Sequence, residues 1–289
     1  MRKLFTIIIY TVIVLLIGRN LTILPRFQSI PLTGITTDQK LENQIKRIVS
    51  VSKGNYAVYF VDLKNKKNSF GINEHVAYTA FSLNKVPIVA SLYYLAGKKE
   101  IDLEEKITLQ EEDIQDYGTG TLRYEEPGTV YSLKTLANLA LSKSDNTAVY
   151  IIANKIGHEK IQELISGWGL TQTDIANNKT SLTDMYILFN KIYSGEIVDK
   201  KTGREILDFL KNTEFEDRLP VYLPKEVSVY HKTGDGVGSI HDLGIIEGKN
   251  FIYFLGVLTT DVGDREEETK KIIGQISKKT YEFVANENN

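Results

Sequence analysis

Alternating and helical spacings of apolar residues divide the chain into three stretches. Leu41 to Val51 has helical spacing and is closed by Gly54. "YAVYFVDL" (Tyr56 to Leu63) and "NSFGIN" then predict two strands joined by a turn at Lys64 to Lys67. Helical patterns dominate from Ser82 to about Leu210, and strand patterns return at "EVSVYHKTG", "DLGIIEG" and "NFIYFLGVLTT". A charged amphipathic helix, Glu266 to Val284, closes the chain. Strands at both ends with helices between them predict an α/β (α+β) domain: one sheet built from the two chain ends, with a helical lobe inserted at about residues 84–215. Pockets favour the crevice between such lobes. The chain has neither an internal repeat nor a low-complexity segment.

The N-terminus follows a different pattern. Arg2 and Lys3 precede an uncharged run from Leu4 to Gly18. That run is short for a spanning helix of about 20 residues and has the length of a signal-sequence core. Arg19, Asn20 and Leu21 stand where a small-x-small cleavage site would be, and no cysteine is available for lipid attachment. Residues 1–24 are therefore read as an uncleaved signal-anchor with its N-terminus inside. Residues 25–38, with Pro25 and Pro31, read as a linker, and residues 39–289 as the exported domain. The expected location is a cell membrane, through this single N-terminal helix, with the domain outside. A cleaved signal peptide and a secreted domain form the alternative.

Composition narrows the chemistry. A hydrophobic fraction of 42% in 289 residues is enough to bury a real core. A formal net charge of −2 without a long basic block argues against a nucleic-acid partner. The absence of cysteine excludes disulfides and thiolate metal sites. The four histidines, His75, His158, His231 and His241, show no paired ligand spacing, so no metal or other cofactor is expected.

One stretch, "FSLNKVPIVASLYYLAG", places Lys85 at the start of an otherwise apolar helix. A charge there is costly unless compensated, and Ser82, three residues earlier, shares its helical face. Ser-x-x-Lys also occurs at Ser50 and Lys53, but there it falls at a helix tail before Gly54. Ser82 falls at a helix start, where free N–H groups favour developing negative charge. "KSDNTAVY" adds Ser144-Asp145-Asn146 at a helix junction, where capping is the simpler use of such residues. Lys-Thr-Gly occurs at Lys201, in a solvated turn context, and again at Lys232-Thr233-Gly234, at the end of a predicted strand. Alternation there sends Lys232 and Gly234 to one side of the sheet and Thr233 to the other, unless a bulge intervenes.

Ser-x-x-Lys, Ser-Asp-Asn and Lys-Thr-Gly in this order are the signature of class A β-lactamases and penicillin-binding proteins. From about Leu41 to the C-terminal helix the chain resembles the penicillin-recognising serine hydrolases, and within them the class A β-lactamase-like branch. "SDNTA" and Leu223-Pro224, upstream of Lys232, add to the likeness. The resemblance implies the β-lactamase/transpeptidase-like fold, with an antiparallel sheet. It implies Ser82 as nucleophile, Lys85 as the group taking its proton, and Ser144, near Lys232, as a relay towards the leaving nitrogen. Asn146 would bind the substrate's side-chain amide, and Thr233 and Lys232 its carboxylate. The N–H groups of Ser82 and of Asp235, the residue after Gly234, would form the oxyanion hole. The implied substrate is a β-lactam or a peptidoglycan stem peptide, acted on by a monomer in a bacterial envelope.

The pattern is incomplete. The segment "LTQTDIANNKTSLTDM" is shorter than the family's Ω-loop and lacks its glutamate. Asp174 and Asn178 keep the spacing, which makes Asp174 a candidate water-positioning group. His241 falls where the family's carboxylate-binding arginine is usual, and Arg218 occupies the alternative position upstream of Leu223-Pro224. Asp235 would repel an anionic substrate unless it turns away. The expectation is an acyl-enzyme at Ser82 with slow deacylation. A D-alanyl-D-alanine carboxypeptidase is the alternative, and a non-catalytic cell-wall binding module a further one. The joint presence of Ser82, Lys85, Ser144 and Lys232 weighs against the module.

Overall fold

The computed structural model describes residues 37–287 apart from residue 212. The expected signal-anchor and most of the linker lie outside the described residues. Among the described residues, no helix is long and apolar enough to cross a membrane.

Helix α1 (Thr37–Ser50) leads into β1 (Asn55–Asp62) and β2 (Ser69–Ile72), joined by a turn in which the Asp62 carboxylate accepts from the N–H groups of Lys64 and Asn65. The chain returns to the sheet only with β7 (Ser228–Gly236), β8 (Ser239–Glu247) and β9 (Ile252–Thr260), and ends in α8 (Glu266–Glu287). The strands form a five-stranded antiparallel sheet in the order β2-β1-β9-β8-β7, so β7 is an edge. The sheet joins both chain ends, as the alternating patterns predict.

Both faces of the sheet are buried, and its central strands β1 and β9 are apolar at most positions. Alternate residues go to opposite sides. Tyr56, Val58, Phe60, Tyr253 and Leu255 pack with Leu41 and Ile45 of α1 and Ile273 and Ile276 of α8. Ala57, Leu243, Ile245 and Phe254 pack against the inserted helices. At the centre of the insert is α2 (Lys85–Gly97), buried from Lys85 through Tyr93. It has no polar face because other helices of the insert enclose it: α3 (Leu133–Ser142), α4 (Asn146–Ile156), α5 (His158–Gly167), α6 (Leu182–Ser194) and α7 (Lys200–Asp208).

The insert is less helical than its pattern predicts. Residues 98–132 hold a small hairpin, β4 (Lys106–Thr108) with β5 (Val130–Ser132), and short 3₁₀ turns. This stretch crosses the mouth of the crevice between insert and sheet. A further two-stranded pair, β3 (Tyr78–Thr79) with β6 (Lys179–Thr180), ties the shortened loop to the segment before Ser82.

Candidate active site

Ser82 lies in a 3₁₀ turn, Phe81–Asn84, that runs directly into α2, so Lys85 is the first residue of the α-helix. Phe81, just before the serine, has φ = 49°. This is an uncommon backbone for a bulky residue, held by the packing around it. Strand β7 presses on the turn closely enough to require glycine. A Cβ on Gly234 would lie 2.8 Å from the Ala80 carbonyl oxygen, and one on Gly236 would overlap the Phe81 ring. The glycines of "KTGDG" therefore bring strand and the Ser82 turn together. Among the described residues, the Ser82 hydroxyl makes no hydrogen bond.

The second element comes from the α3–α4 junction. Ser144 has φ = 53° and Asp145 caps α4, its Oδ1 accepting from the Ala148 N–H at 2.9 Å. The other oxygen of Asp145 accepts from the N–H groups of Thr121 (2.6 Å) and Leu122 (2.8 Å), fixing the crossing loop. Capping and site-building are thus combined in one aspartate.

Around Ser144 two lysines converge. Lys85 Nζ donates to the Ser144 carbonyl, to Ser144 Oγ at 3.2 Å and to Asn146 Oδ1 at 2.7 Å. Lys232 Nζ donates to the same Oγ at 3.0 Å and to its neighbour's carbonyl, Thr233 O, at 3.0 Å. Burial, then the charge of Lys232, push Lys85 well below the ordinary lysine range, with Asp145 opposing. Burial brings Lys232 down to about 7 against the pull of Asp242 and Asp235. Burial thus favours the uncharged form of Lys85, the form that accepts a proton.

Lys85, Ser144 and Asn146 line a cleft of about 390 Å³, together with Ser82, Thr233, Asp235 and Asn178, and Lys232 joins them through its bond to Ser144 Oγ. Five lining residues were not singled out by the motifs: Phe81, Tyr117, Gly118, Thr119 and Phe215. Thr119 Oγ1 donates to the Ser144 carbonyl at 2.8 Å, and Lys232 Nζ lies 5.8 Å from the centre of the Phe215 ring. All except Phe81 reach the cleft through loops, where apolar periodicity carries no signal. Asn146 is partly committed within the protein: Oδ1 faces Lys85, and Nδ2 donates to the Tyr117 carbonyl at 2.9 Å.

The structure corrects two expectations. Arg218 is not a free anchor for a substrate carboxylate. It is 1% exposed and grips Asp235 through two bonds of 2.5 and 2.7 Å, with further bonds to Asp217 and the His241 carbonyl. It neutralises and orients Asp235, which offsets the repulsion anticipated for an anionic substrate beside that residue. Asp174 does not face the cleft either. Its carboxylate closes a turn onto the N–H and Nδ2 of Asn177, both at 2.8 Å, while the backbone of Asp174 pairs with that of Lys179. The missing loop length forces this tight hairpin and turns the acid outward. Asn178 points inward instead, its Oδ1 accepting from Asn84 at 3.0 Å.

His241 is also structural. It donates from Nε2 to the Thr79 carbonyl and accepts at Nδ1 from the Thr259 N–H, and burial depresses it to about 4. His231 behaves oppositely. Burial disfavours its charge, but Asp242 at 2.7 Å and Glu216 at 3.3 Å outweigh that and raise it to about 9. Asp242 also accepts from the Leu219 N–H, so His231 anchors the segment that carries Phe215. A raised folded-state value gives stability that is complete below about 6.5 and lost as pH rises through about 9. Thermal melts should therefore show a loss on the order of 2 kcal/mol from about pH 7 to 10, absent in His231→Gln. Parallel pH curves for the two proteins would contradict this reading.

With this geometry, the comparisons with known proteins agree. Residues 40–284 match the Beta-lactamase enzyme family. The chain is 24% identical to β-lactamase VEB-1 of Pseudomonas aeruginosa over 92% of this chain and 97% of that protein. It is 24% identical to β-lactamase BRO-1 of Moraxella catarrhalis over 84% and 85%. Among solved structures, PBP-A superposes with a TM-score of 0.80 at 26% identity, covering 86% of this chain and 96% of that one. A PBP-A mutant described as an acyl-enzyme complex with penicillin G superposes at 0.78 and 26% identity, over 86% and 97%. A match over nearly the whole described region, on a fold whose crevice gathers the serine and both lysines, leaves one assignment: the chain belongs to the β-lactamase enzyme family and is a serine hydrolase.

Proposed function

We propose that Ser82 forms an acyl-enzyme with β-lactams or with the cell-wall peptides they mimic, and that this ester is released slowly. The observation that carries this reading is the Lys85–Ser144–Lys232 chain opening on the same cleft as Ser82. Lys85 takes the Ser82 proton as Oγ bonds to the carbonyl carbon. The C–N bond then breaks, and the nitrogen receives a proton from Ser144 Oγ, which is resupplied from the neighbouring lysines. Negative charge on the carbonyl oxygen is met by N–H groups at Ser82 and Asp235. Thr233 and Lys232 receive the substrate carboxylate, the role that Arg218, bound to Asp235, does not take.

Acylation and release differ in what they require. Release needs a water held and deprotonated beside the ester. The one carboxylate lining the cleft among the described residues, Asp235, is engaged by Arg218. The penicillin G adduct of the PBP-A mutant supports penicillin G as the probe. The expected outcome is a product burst equal to the enzyme concentration, followed by a much slower steady rate, with the adduct visible by intact-mass spectrometry. Fast steady hydrolysis without an accumulating adduct would favour efficient β-lactamase turnover, and no adduct or hydrolysis at all would favour a binding module. Release of D-alanine from a stem peptide at a rate above penicillin turnover would specify the carboxypeptidase.

We also propose that the exported domain is tethered to a bacterial membrane by residues 1–24. The uncharged run after Arg2 and Lys3 supports this. Fractionation with and without that segment tests it.

A further inference from the structure

The two ends of the five-stranded sheet differ in charge. At one end the β1–β2 turn exposes Lys64, Lys66 and Lys67, and the β8–β9 turn exposes Lys249. The two turns are neighbours, because Asp62 pairs with Tyr253 and Lys64 Nζ donates to the Asn250 carbonyl at 2.7 Å. The Asp62 carboxylate is occupied by the N–H groups of Lys64 and Asn65. Lys66, Lys67 and Lys249 enter no ion pair among the described residues; the field of Lys66 reaches Glu196, whose own ion pair is with Lys191. Beside this end a cavity of about 430 Å³ is lined by Lys66, Lys200 and Arg204 and by no acid, Arg204 being paired with Glu247. At the opposite end, where β9 stops and α8 starts, the exposed side chains are mainly acidic: Asp261, Asp264 and the three glutamates 266–268, against Lys53 and Arg265.

We propose that the lysine end docks on the anionic lipid surface of the membrane that tethers the chain, holding the Ser82 cleft on the side away from the bilayer. This rests on the tether reading above. The path of the chain supports it. Helix α1 packs on the sheet through Leu41 and Ile45 and hands over to β1 through residues 51–54, so it runs back along β1 and the chain enters it at the lysine end. Residues 25–36 reach at most about 40 Å even when fully extended, and their one charge is Arg26. The cleft lies at the other end: Gly234 and Gly236 press on the Ser82 turn, and Gly236 pairs with Ser239, whereas Ser228 pairs with Glu247 at the lysine end. A strand of eight residues separates the two poles by about 26 Å, more than the screening length of about 8 Å at physiological salt, so each meets a charged surface on its own. A basic side chain at an anionic bilayer contributes a factor of about five to binding, while the acidic pole is repelled. Attraction at one end and repulsion at the other together fix the orientation.

The chain has no cysteine, so a single fluorescent probe is placed by Asn250→Cys at the lysine end or by Val51→Cys, 87% exposed, at the far end. Labelled full-length protein is reconstituted in vesicles carrying a headgroup-bound quencher, made of phosphatidylcholine alone or with about 30% phosphatidylglycerol. Quenching of the Asn250 probe should rise in the anionic vesicles, that of the Val51 probe should stay low, and about 1 M salt should cancel the rise. Reversing three charges together, Lys66→Glu, Lys67→Glu and Lys249→Glu, should lower the docked-to-undocked ratio by about a hundredfold. The melting temperature should not move, because all three side chains are exposed. Equal quenching of the two probes, or a rise that survives the charge reversal, would overturn the proposal. Failure of the tether looks different: the chain does not float with phosphatidylcholine vesicles, and both readings fall together.

Discussion

Ser82→Ala is expected to abolish covalent labelling by penicillin G, removing the adduct completely from the intact-mass spectrum while leaving the melting temperature nearly unchanged. Both halves follow from the site. The hydroxyl makes no hydrogen bond among the described residues, so its removal takes away no fold-stabilising contact. The turn is held instead by β7 against Ala80 and Phe81 at Gly234 and Gly236. The chemistry has no substitute for that oxygen. Ser144 is buried, with its hydroxyl held between Lys85 and Lys232. Ser50→Ala is the matched control: its hydroxyl bonds the Arg47 carbonyl at the tail of α1, and labelling should be unaffected. Persistent labelling of the Ser82 variant would remove the nucleophile assignment.

The second large effect is a gain. If release is slow because no base faces the ester, then a carboxylate placed on the right wall should accelerate it. Asp174 is on the wrong side of its hairpin, but the next residue, Ile175, lines a small cavity beside the cleft with Lys85 and Asn178. Ile175→Glu is therefore expected to shorten the adduct lifetime by about 10²-fold, the lower end of what a positioned general base contributes. The burst should keep its size. Asp174→Asn should leave the lifetime as it is, because that carboxylate is occupied by Asn177. Stopped-flow acylation with mass-resolved decay of the adduct separates the two steps. An unchanged lifetime in Ile175→Glu, in a variant that still acylates, would place the cause of slow release elsewhere.

Where sequence and structure part company is instructive residue by residue. The choice between the two Ser-x-x-Lys copies was legible because helix start and helix tail differ in local pattern, and α1 and α2 fall as that pattern predicts. The Lys-Thr-Gly at Lys201 opens α7 and is capped by Asp199, whose side chain accepts from the Lys201 and Thr202 N–H groups. Arg218 reads as a free cation in the sequence because its partner, Asp235, is 17 positions away on an edge strand, and nothing in either neighbourhood announces the pair. Asp174 reads as a candidate water-positioning group because spacing specifies separation along the chain and says nothing about which way a tight turn aims a carboxylate. The His231–Asp242–Glu216 cluster joins three residues whose partnership depends on the β7–β8 register and on a loop crossing it.

By itself, then, the sequence determined the sheet built from both chain ends, the apolar central helix and the order of Ser82, Lys85, Ser144 and Lys232. Each is written in short-range periodicity or in a motif that a few adjacent residues carry. Only the tertiary structure decided that Arg218 neutralises Asp235, that Phe215, Tyr117 and Thr119 wall the cleft, and that the shortened loop turns its one acid onto Asn177. Those outcomes depend on loop paths and on buried charges finding partners far away in the chain. The energy of such pairings exists only once burial has removed the water that would otherwise satisfy each group alone.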